Sequence, residues 1–376
     1  MRRRLERMAK RAESPELVLK GTSILTNKEG SLIERWDKTR MRGRLDEDTQ
    51  HIPDPKTISK VSTLFDQEGR VTQQWVSERP DDLRRAELWR EAASAFAEEL
   101  PRVPTIHIHP LHEASSLPDL LVVYPIGDHH MGMLSWKHET GVSYDLDIGE
   151  RLLTKAMQYL VDRSPPSQTA LIVVLGDFMH YDSTTPETPE HSNPLDSDGR
   201  HQKMVRAAIR TIRRTIEMAL AKHDKVHVII EIGNHDLFSM AWMMESMAAI
   251  YEDNPRLTVD TNPSWFHYYL FGKCLFGVHH GHGVKMEDLP ILMAQDRSED
   301  WGQTRHRFWL TGHIHRRVAL DHGGCSIESY RILPPPDAWA FNKGYRPKRD
   351  MHAVVYHREF GEQGRNIVSP WMLEEK

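Results

Sequence analysis

Five short apolar runs, each stopping abruptly at Asp, Asn or His, set the pattern of this chain. Residues 120–126, 170–175 and 226–232 are apolar runs rich in β-branched residues, the signature of strands buried on both faces. Between them, apolar positions spaced three and four apart predict helices over 148–162, 201–222 and 236–251. A hairpin is expected at 268–271 and 274–278 around Gly272-Lys273, and 308–310, 326–332 and 353–356 are further strand candidates. Strands alternating with helices predict an α/β domain with a buried sheet, whose sites lie at the C-terminal strand ends.

The first hundred residues follow a different pattern. Ser23, Leu25, Glu29-Gly30, Trp36 and Arg40 recur at one constant offset as Ser62, Leu64, Glu68-Gly69, Trp75 and Arg79. Each unit reads as two short strands around an Asn/Asp-x-Glu-Gly turn, where glycine supplies a positive φ. Two such hairpins are expected to pair with each other or to dock on the main domain, as a packing device rather than a binding module. Residues 81–100 read as a helix with Trp89, Ala93, Phe96 and Leu100 on one face and Asp81 as cap. Residues 101–118 contain four prolines and read as a linker. The expected organisation is an N-terminal hairpin and helix extension over 1–118, a catalytic domain over 119–332 and a C-terminal cap over 333–376.

Composition narrows the chemistry. The chain has 376 residues, 39% of them hydrophobic, enough for a main domain with additions. Its formal net charge of −5 gives no global attraction to nucleic acid, so any polyanion must be met by local patches or by metal. Cys274 and Cys325 are the only cysteines, which suits a reducing compartment. No apolar run approaches the ~20 residues of a membrane span. The basic stretch 1–11 is not followed by a hydrophobic segment, so no secretory signal is read there. Cytoplasmic placement is the expectation.

The candidate chemistry lies where the apolar runs end. In order, the chain carries Asp128-x-His130, Gly176-Asp177, Gly233-Asn234-His235-Asp236, His279-His280-Gly281-His282 and Gly312-His313-Ile314-His315. Taken singly, Asp-x-His or Gly-Asp is ordinary turn chemistry, and Asn234 or Asp236 could cap the helix that follows. With 23 histidines in the chain some are incidental; His51, His107, His109, His112, His138, His223 and His357 have no matching partner. The ordered set of five is hard to explain without metal. Imidazole and carboxylate together suit Mn, Fe, Co, Ni or Zn, and one carboxylate can bridge two ions about 3.5–4 Å apart. Asp177 is the natural bridge, and the alternate spacing of His313 and His315 lets one face each ion. Asn234 offers an amide oxygen and leaves His235 free.

These motifs resemble the calcineurin-like metallophosphoesterase superfamily over roughly residues 119–332. The resemblance implies a four-layer αββα sandwich, two mixed sheets flanked by helices. It implies one ion held by Asp128, His130, Asp177 and His315, and a second held by Asp177, Asn234, His280 and His313. The family's His-Gly-His spelling selects His280 over the adjacent His279. More narrowly, 195–200, 299–302 and 344–351 resemble phage- and prophage-encoded phosphoesterases labelled as DNA-repair-type exonucleases, which would place the chain in a host cytoplasm. Gly176-Asp177-Phe178-Met179-His180 lacks the Asp-Arg-Gly of Ser/Thr protein phosphatases, which disfavours that activity.

The expected function is a dinuclear metal-dependent phosphodiesterase acting on nucleic acid or nucleotides, with manganese as the expected ion and a metal-bridging hydroxide as nucleophile. His235 is the expected proton donor to the leaving alkoxide, oriented by Asp236 or another carboxylate. His282 and His180 are the expected substrate contacts. The acidic loop 184–200 reads either as the mouth of the site or as disorder. Arg206, Arg210, Arg213 and Arg214 form one basic helix stripe, a phosphate track or a solvated face. Residues Trp339, Phe341, Tyr345, Arg346, Lys348 and Arg349 interleave rings with positive charge, as single-stranded nucleic acid would require, or pack as a cap. Two other readings stand beside the nuclease: a phosphomonoesterase or cyclic-nucleotide phosphodiesterase, and a non-catalytic metal-binding protein.

Overall fold

The computed structural model describes residues 17–26, 32–41, 58–65, 71–78 and 116–373. The chain divides into two compact units, Met1–Leu88 and Trp89–Lys376. In the first unit β1 (Leu17–Thr26) pairs antiparallel with β2 (Leu32–Met41), and β3 (Ile58–Phe65) with β4 (Val71–Glu78). The repeat extends to the register: Ser23 faces Trp36 as Ser62 faces Trp75. The ladder slips at Leu19/Gly21 and Leu25/Thr26 in one hairpin and at Ile58/Lys60 and Leu64/Phe65 in the other. Each hairpin is its own two-stranded sheet. The helix expected over 81–100 and residues 101–115 of the linker expected over 101–118 lie outside the described residues, while 117 and 118 already belong to the strand Leu117–Ile126.

In the second unit, β5 (Leu117–Ile126), β6 (Ser167–Val174), β7 (Lys225–Ile230) and β8 (Leu257–Val259) run parallel. The antiparallel pair β14 (Met351–His357) and β15 (Gly361–Val368) extends them through β5 into a six-stranded sheet. A second sheet has the order β12-β13-β11-β10-β9, from β9 (His267–Phe271), β10 (Cys274–Val278), β11 (His306–Thr311), β12 (Val318–His322) and β13 (Cys325–Ser329). Its inner strands β10, β11 and β13 are parallel and its edges antiparallel, so both sheets are mixed.

The period-two alternation of the strands produces the layers. Val122, Tyr124 and Ile126 of β5 and Ala170, Ile172 and Val174 of β6 face the helices α1 (Leu146–Arg163), α2 (His201–Lys222) and α3 (Leu237–Ile250). Their neighbours Leu121, Val123, Leu171 and Val173 face the other way, against Phe276, Val278 and Leu310 of the second sheet. On the far side of that sheet, Leu275, Trp309 and Ile327 pack on Leu289 and Met293 of α4 (Leu289–Asp296) and on Trp301 of α5 (Ser298–Gln303). Three cores separate four layers, helix, sheet, sheet and helix. Among the described residues no helix is long and apolar enough to cross a membrane.

Caps and ion pairs hold the helices on the sheet. Asp145 accepts from Ile148 N at 2.7 Å and starts α1. The arginine stripe of α2 faces that helix. Arg210 and Arg214 both grip Glu150, through contacts that include Arg210 Nε to Oε1 at 2.6 Å and Arg214 to Oε1 at 2.7 Å, and Arg213 lies 3.8 Å from Glu217. Two of the four guanidiniums thus tie α2 to α1 and a third pairs within α2.

Replacing Phe276, fully buried between the sheets, with Ala should cost about 3–5 kcal/mol. Ile291→Ala, 60% exposed on α4, should stay within about 0.5 kcal/mol. Denaturant midpoints at unchanged slope would show the difference; equal midpoints would contradict the layered core.

Candidate metal centre

All five motifs emerge from one edge of the sandwich, because the strands that precede them end there. Asp128 follows β5, Asp177 follows β6, Asn234 follows β7, His280 follows β10 and His313 follows β11. The loops turn back on themselves at once. Among the described residues, five other than glycine have positive φ, and four are His130 (45°), Asp177 (47°), His313 (67°) and His315 (53°). Each such residue costs of the order of 1–3 kcal/mol and persists only where surrounding structure imposes it. Strain concentrated in this way marks a site.

The side chains converge in two Asp/His groups, beside a third made of His130, His180 and His235. In the first, His315 Nε2 lies 3.0 Å from Asp128 Oδ2 and 3.2 Å from His130 Nε2. In the second, His280 Nε2 lies 3.0 Å from Asn234 Oδ1 and 3.3 Å from Asp177 Oδ2, with His313 completing the cluster. Asp177 groups with His280 and His313, whereas Asp128, His130 and His315 form a set of their own. Backbone contacts tie the two together. His130 N donates to Asp177 O at 3.0 Å, and His313 N donates to the Asp128 carboxylate at 3.0 and 3.1 Å. His279 turns away: its ring stacks on Phe266 at 4.7 Å and its Nδ1 accepts from Gly281 N. Of the adjacent pair, His280 is the one whose ring points into the cluster.

Glycines make room for this convergence. A Cβ on Gly233 would lie 2.1 Å from both the N and Oδ1 of Asp177, and one on Gly312 would lie 2.3 Å from Asp128 Oδ1. The glycine before each histidine-bearing turn is where a carboxylate presses on backbone.

The donor set fits transition ions. Asp128, Asp177, His130 and His280 are each at most 5% exposed. His280 Nδ1 donates to Leu175 O at 2.7 Å, which fixes the ring so that Nε2 points at Asn234 and Asp177. Carboxylate, amide oxygen and imidazole facing one another at about 3 Å are a donor set that could hold a transition cation; hard ions such as Mg²⁺ would favour more oxygen.

Titration behaviour follows from this crowding. Burial, then repulsion from His235, His315 and His180, holds His130 well below its ordinary 6.5. Burial and the neighbouring His280 lower His313 to about 4. Burial opposes protonation of His280 too, but the Asp177 carboxylate overcomes it and raises His280 to about 10. Asp177 stays well below the carboxylate range despite its burial, because His280 faces it. Asp128 likewise raises His315 against its burial.

Three residues expected at the chemistry stand elsewhere or act differently. Asp236 does not touch the His235 ring: its carboxylate accepts from Gly233 N (3.0 Å), Asp177 N (3.2 Å) and Met179 N (2.8 Å). It fixes the Asp177 turn, while Asp182 caps α3 by accepting from Phe238 N (2.6 Å) and Ser239 N (2.8 Å). The His235 ring is oriented by a backbone carbonyl, with Nδ1 donating to His180 O at 2.9 Å, so Nε2 is left unbound. His180 is 2% exposed and sits behind His130, Nδ1 to Nδ1 at 3.3 Å, stacked on His235 at 5.8 Å. A ring enclosed in this way packs on His130 and has no open face toward solvent. His282, by contrast, is on the rim, 5.0 Å ring to ring from His313 and 3.5 Å from Glu190. The acidic loop is thus placed at the mouth.

One buried carboxylate went unread in the sequence. Glu231 is 1% exposed, with neither oxygen hydrogen-bonded among the described residues. It lies 3.5 Å from His267, whose Nδ1 is 3.0 Å from Asp260. The signal was a lone charge inside the apolar run 226–232.

No family model matches the chain, and no curated protein is similar to it. Among solved structures it is similar to a conserved uncharacterized protein of Streptococcus pneumoniae TIGR4 described as a predicted phosphoesterase, at 10% identity and TM-score 0.28 over 66% of this chain and 98% of that one. It is also similar to Vps29 of Entamoeba histolytica complexed with zinc, at 14% identity and TM-score 0.27 over 66% and 99%. A third is PhoD, at 8% identity and TM-score 0.32 over 68% and 69%. Likeness this distant carries no weight on activity, and the geometry of the site stands alone.

Buried neutral imidazoles make the fold acid-sensitive. Burial lowers both His129, beside the site, and His223, hydrogen-bonded to Ser167 and Tyr124, from 6.5 to about 4. Between those values the unfolded chain binds protons that the folded chain refuses, so stability falls as pH drops through that window. Urea midpoints of the metal-free protein should decline from pH 6.5 to 4, less steeply in His223→Gln; a flat profile would contradict the buried neutral rings.

Proposed function

We propose that the chain is a two-metal phosphoesterase that hydrolyses phosphodiesters of nucleotides or nucleic acid. The observation that carries this reading is the pair of buried Asp/His groups, placed side by side on strained turns with His235 Nε2 unbound beside them. Asp128, His130 and His315 would hold one ion and Asn234, His280 and His313 the other, with Asp177 shared between them. Manganese suits this donor set, as do iron, zinc, nickel and cobalt. Bound ions of this kind lower the pKa of water and neutralise phosphate oxygens.

The protein's own groups do the rest. Asp236 and the glycines at 176, 233 and 312 hold the ligands in place. His180 packs on His130, and the His180 carbonyl takes the Nδ1–H of His235, so that Nε2 faces the site and carries the transferable proton when the ring is in its imidazolium form. That proton goes to the departing oxygen, which matters most for an alkoxide, a poor leaving group. His282 on the rim would touch the phosphate's substituent. A smaller phosphoester is the second reading, favoured by Glu190 beside His282, which places negative charge at the mouth where a polyanion would pass.

With Mn²⁺, bis-aryl phosphate, mono-aryl phosphate, cyclic nucleotides and single- and double-stranded DNA and RNA would be compared. Diester and nucleic-acid hydrolysis is expected; activity confined to monoesters would eliminate the nuclease, and silence on all would favour a non-catalytic metal protein. In His235→Asn metal content should be retained while turnover falls about 10²–10⁴-fold on alkyl diesters and less on aryl ones. Equal loss on both would contradict the proton-donor role.

A further inference from the structure

Two loops beside the metal edge expose large rings that the proposed chemistry does not use. One continues from the Asp128-x-His130 turn to Trp136, 62% exposed, at the head of the short helix Lys137–Thr140. The other leaves β13 through Arg331, which runs against Gly127, and reaches the helix Ala338–Asn342. The two short helices pack on each other, and Ser135 Oγ donates to Pro336 O at 3.1 Å. Both loops therefore form one ridge, joined to the ligand-bearing end of β5.

On that ridge Trp339 is 64% and Tyr345 57% exposed, and their rings lie nearly parallel at 27° with centroids 6.1 Å apart. They are held and not floppy. Asp337 caps the helix by accepting from Ala340 N at 2.7 Å. Arg346 lies 3.4 Å over the Phe341 ring and donates to the carbonyls of Phe341 (2.7 Å) and Tyr345 (2.9 Å). Two stacked exposed rings, with a third on the adjoining helix, make the kind of surface that marks an interaction site.

Charge identifies the partner. Lys343, Arg346 and Lys348 are exposed on the same loop, and among the described residues no carboxylate lies within ion-pair distance of them. In a chain of net charge −5 this is a local cationic patch interleaved with open ring faces. An acidic peptide would satisfy the charges but not the rings. Duplex nucleic acid would satisfy the charges but hides its bases. A single strand offers phosphates and unstacked bases together.

We propose that this ridge binds single-stranded nucleic acid, with bases stacked on Trp339, Tyr345 and Trp136 and phosphates on Lys343, Arg346 and Lys348, and feeds the strand to the metal edge. This rests on the phosphodiesterase reading and deepens it. The test is fluorescence anisotropy of labelled oligothymidylate and of a duplex of equal length on the full-length, manganese-loaded chain carrying His235→Asn to slow turnover. The single strand should bind at least tenfold more tightly. Trp339→Ala and Tyr345→Ala should each weaken it about tenfold, with Trp339→Phe retaining most of the affinity, and Lys343→Ala should reduce its salt dependence. Equal affinity for duplex, or unchanged affinity in Trp339→Ala, would overturn the inference. Hydrolysis of bis-aryl phosphate by the wild-type chain is read separately. Its presence without strand binding sinks this inference alone, and strand binding without it sinks the catalytic reading alone.

Discussion

The left-handed turn at Asp177 is the constraint on which the metal edge depends. At φ 47° this residue points its carboxylate at His280 while its backbone N donates to Asp236. The turn closes only because position 233 has no side chain, a Cβ there falling 2.1 Å from Asp177. Strand ends from both sheets meet over that contact. An Asp at a relaxed turn would leave its carboxylate in water, and the imidazoles from the second sheet would have nothing to approach.

The electrostatics follow the same geometry. Asp128 and Asp177 are buried carboxylates, and isolated they would be costly to hold ionised. Without cations each borrows a proton on a facing histidine, His315 for Asp128 and His280 for Asp177. Divalent ions would replace those protons and release them, so metal uptake and proton release are coupled. The remaining imidazoles are already neutral through burial, and their lone pairs are available near neutral pH.

The inner strands and the positions of the clustered Asp and His residues were legible in the sequence for one reason. A strand buried on both faces reads as an unbroken apolar run, and a polar ligand just after it stands out. Edge strands gave no such signal: β12 and β15 are largely exposed and polar, and neither was expected. Short β8 and α4, whose first turn contains Pro290, also escaped the periodicity. Within the site, residue type was legible but direction was not. Asp236 looked like the partner of His235 because the two are adjacent, yet it points back to the Asp177 turn. His180 looked like a substrate contact and stands behind His130. Such directions are fixed by positive φ and by contacts between loops far apart in sequence, which no local pattern encodes. The two hairpins of the N-terminal repeat were legible because each is local; their register was not read, and each forms its own sheet.

The account requires the two side-chain groups to act as one dinuclear cage with Asp177 between them. Metal content of the dialysed, manganese-loaded chain, measured by inductively coupled plasma mass spectrometry, tests this directly. Two equivalents per chain are expected, falling to one or none in Asp177→Asn. No stoichiometric metal in the wild-type chain, or undiminished loading in Asp177→Asn, would contradict it.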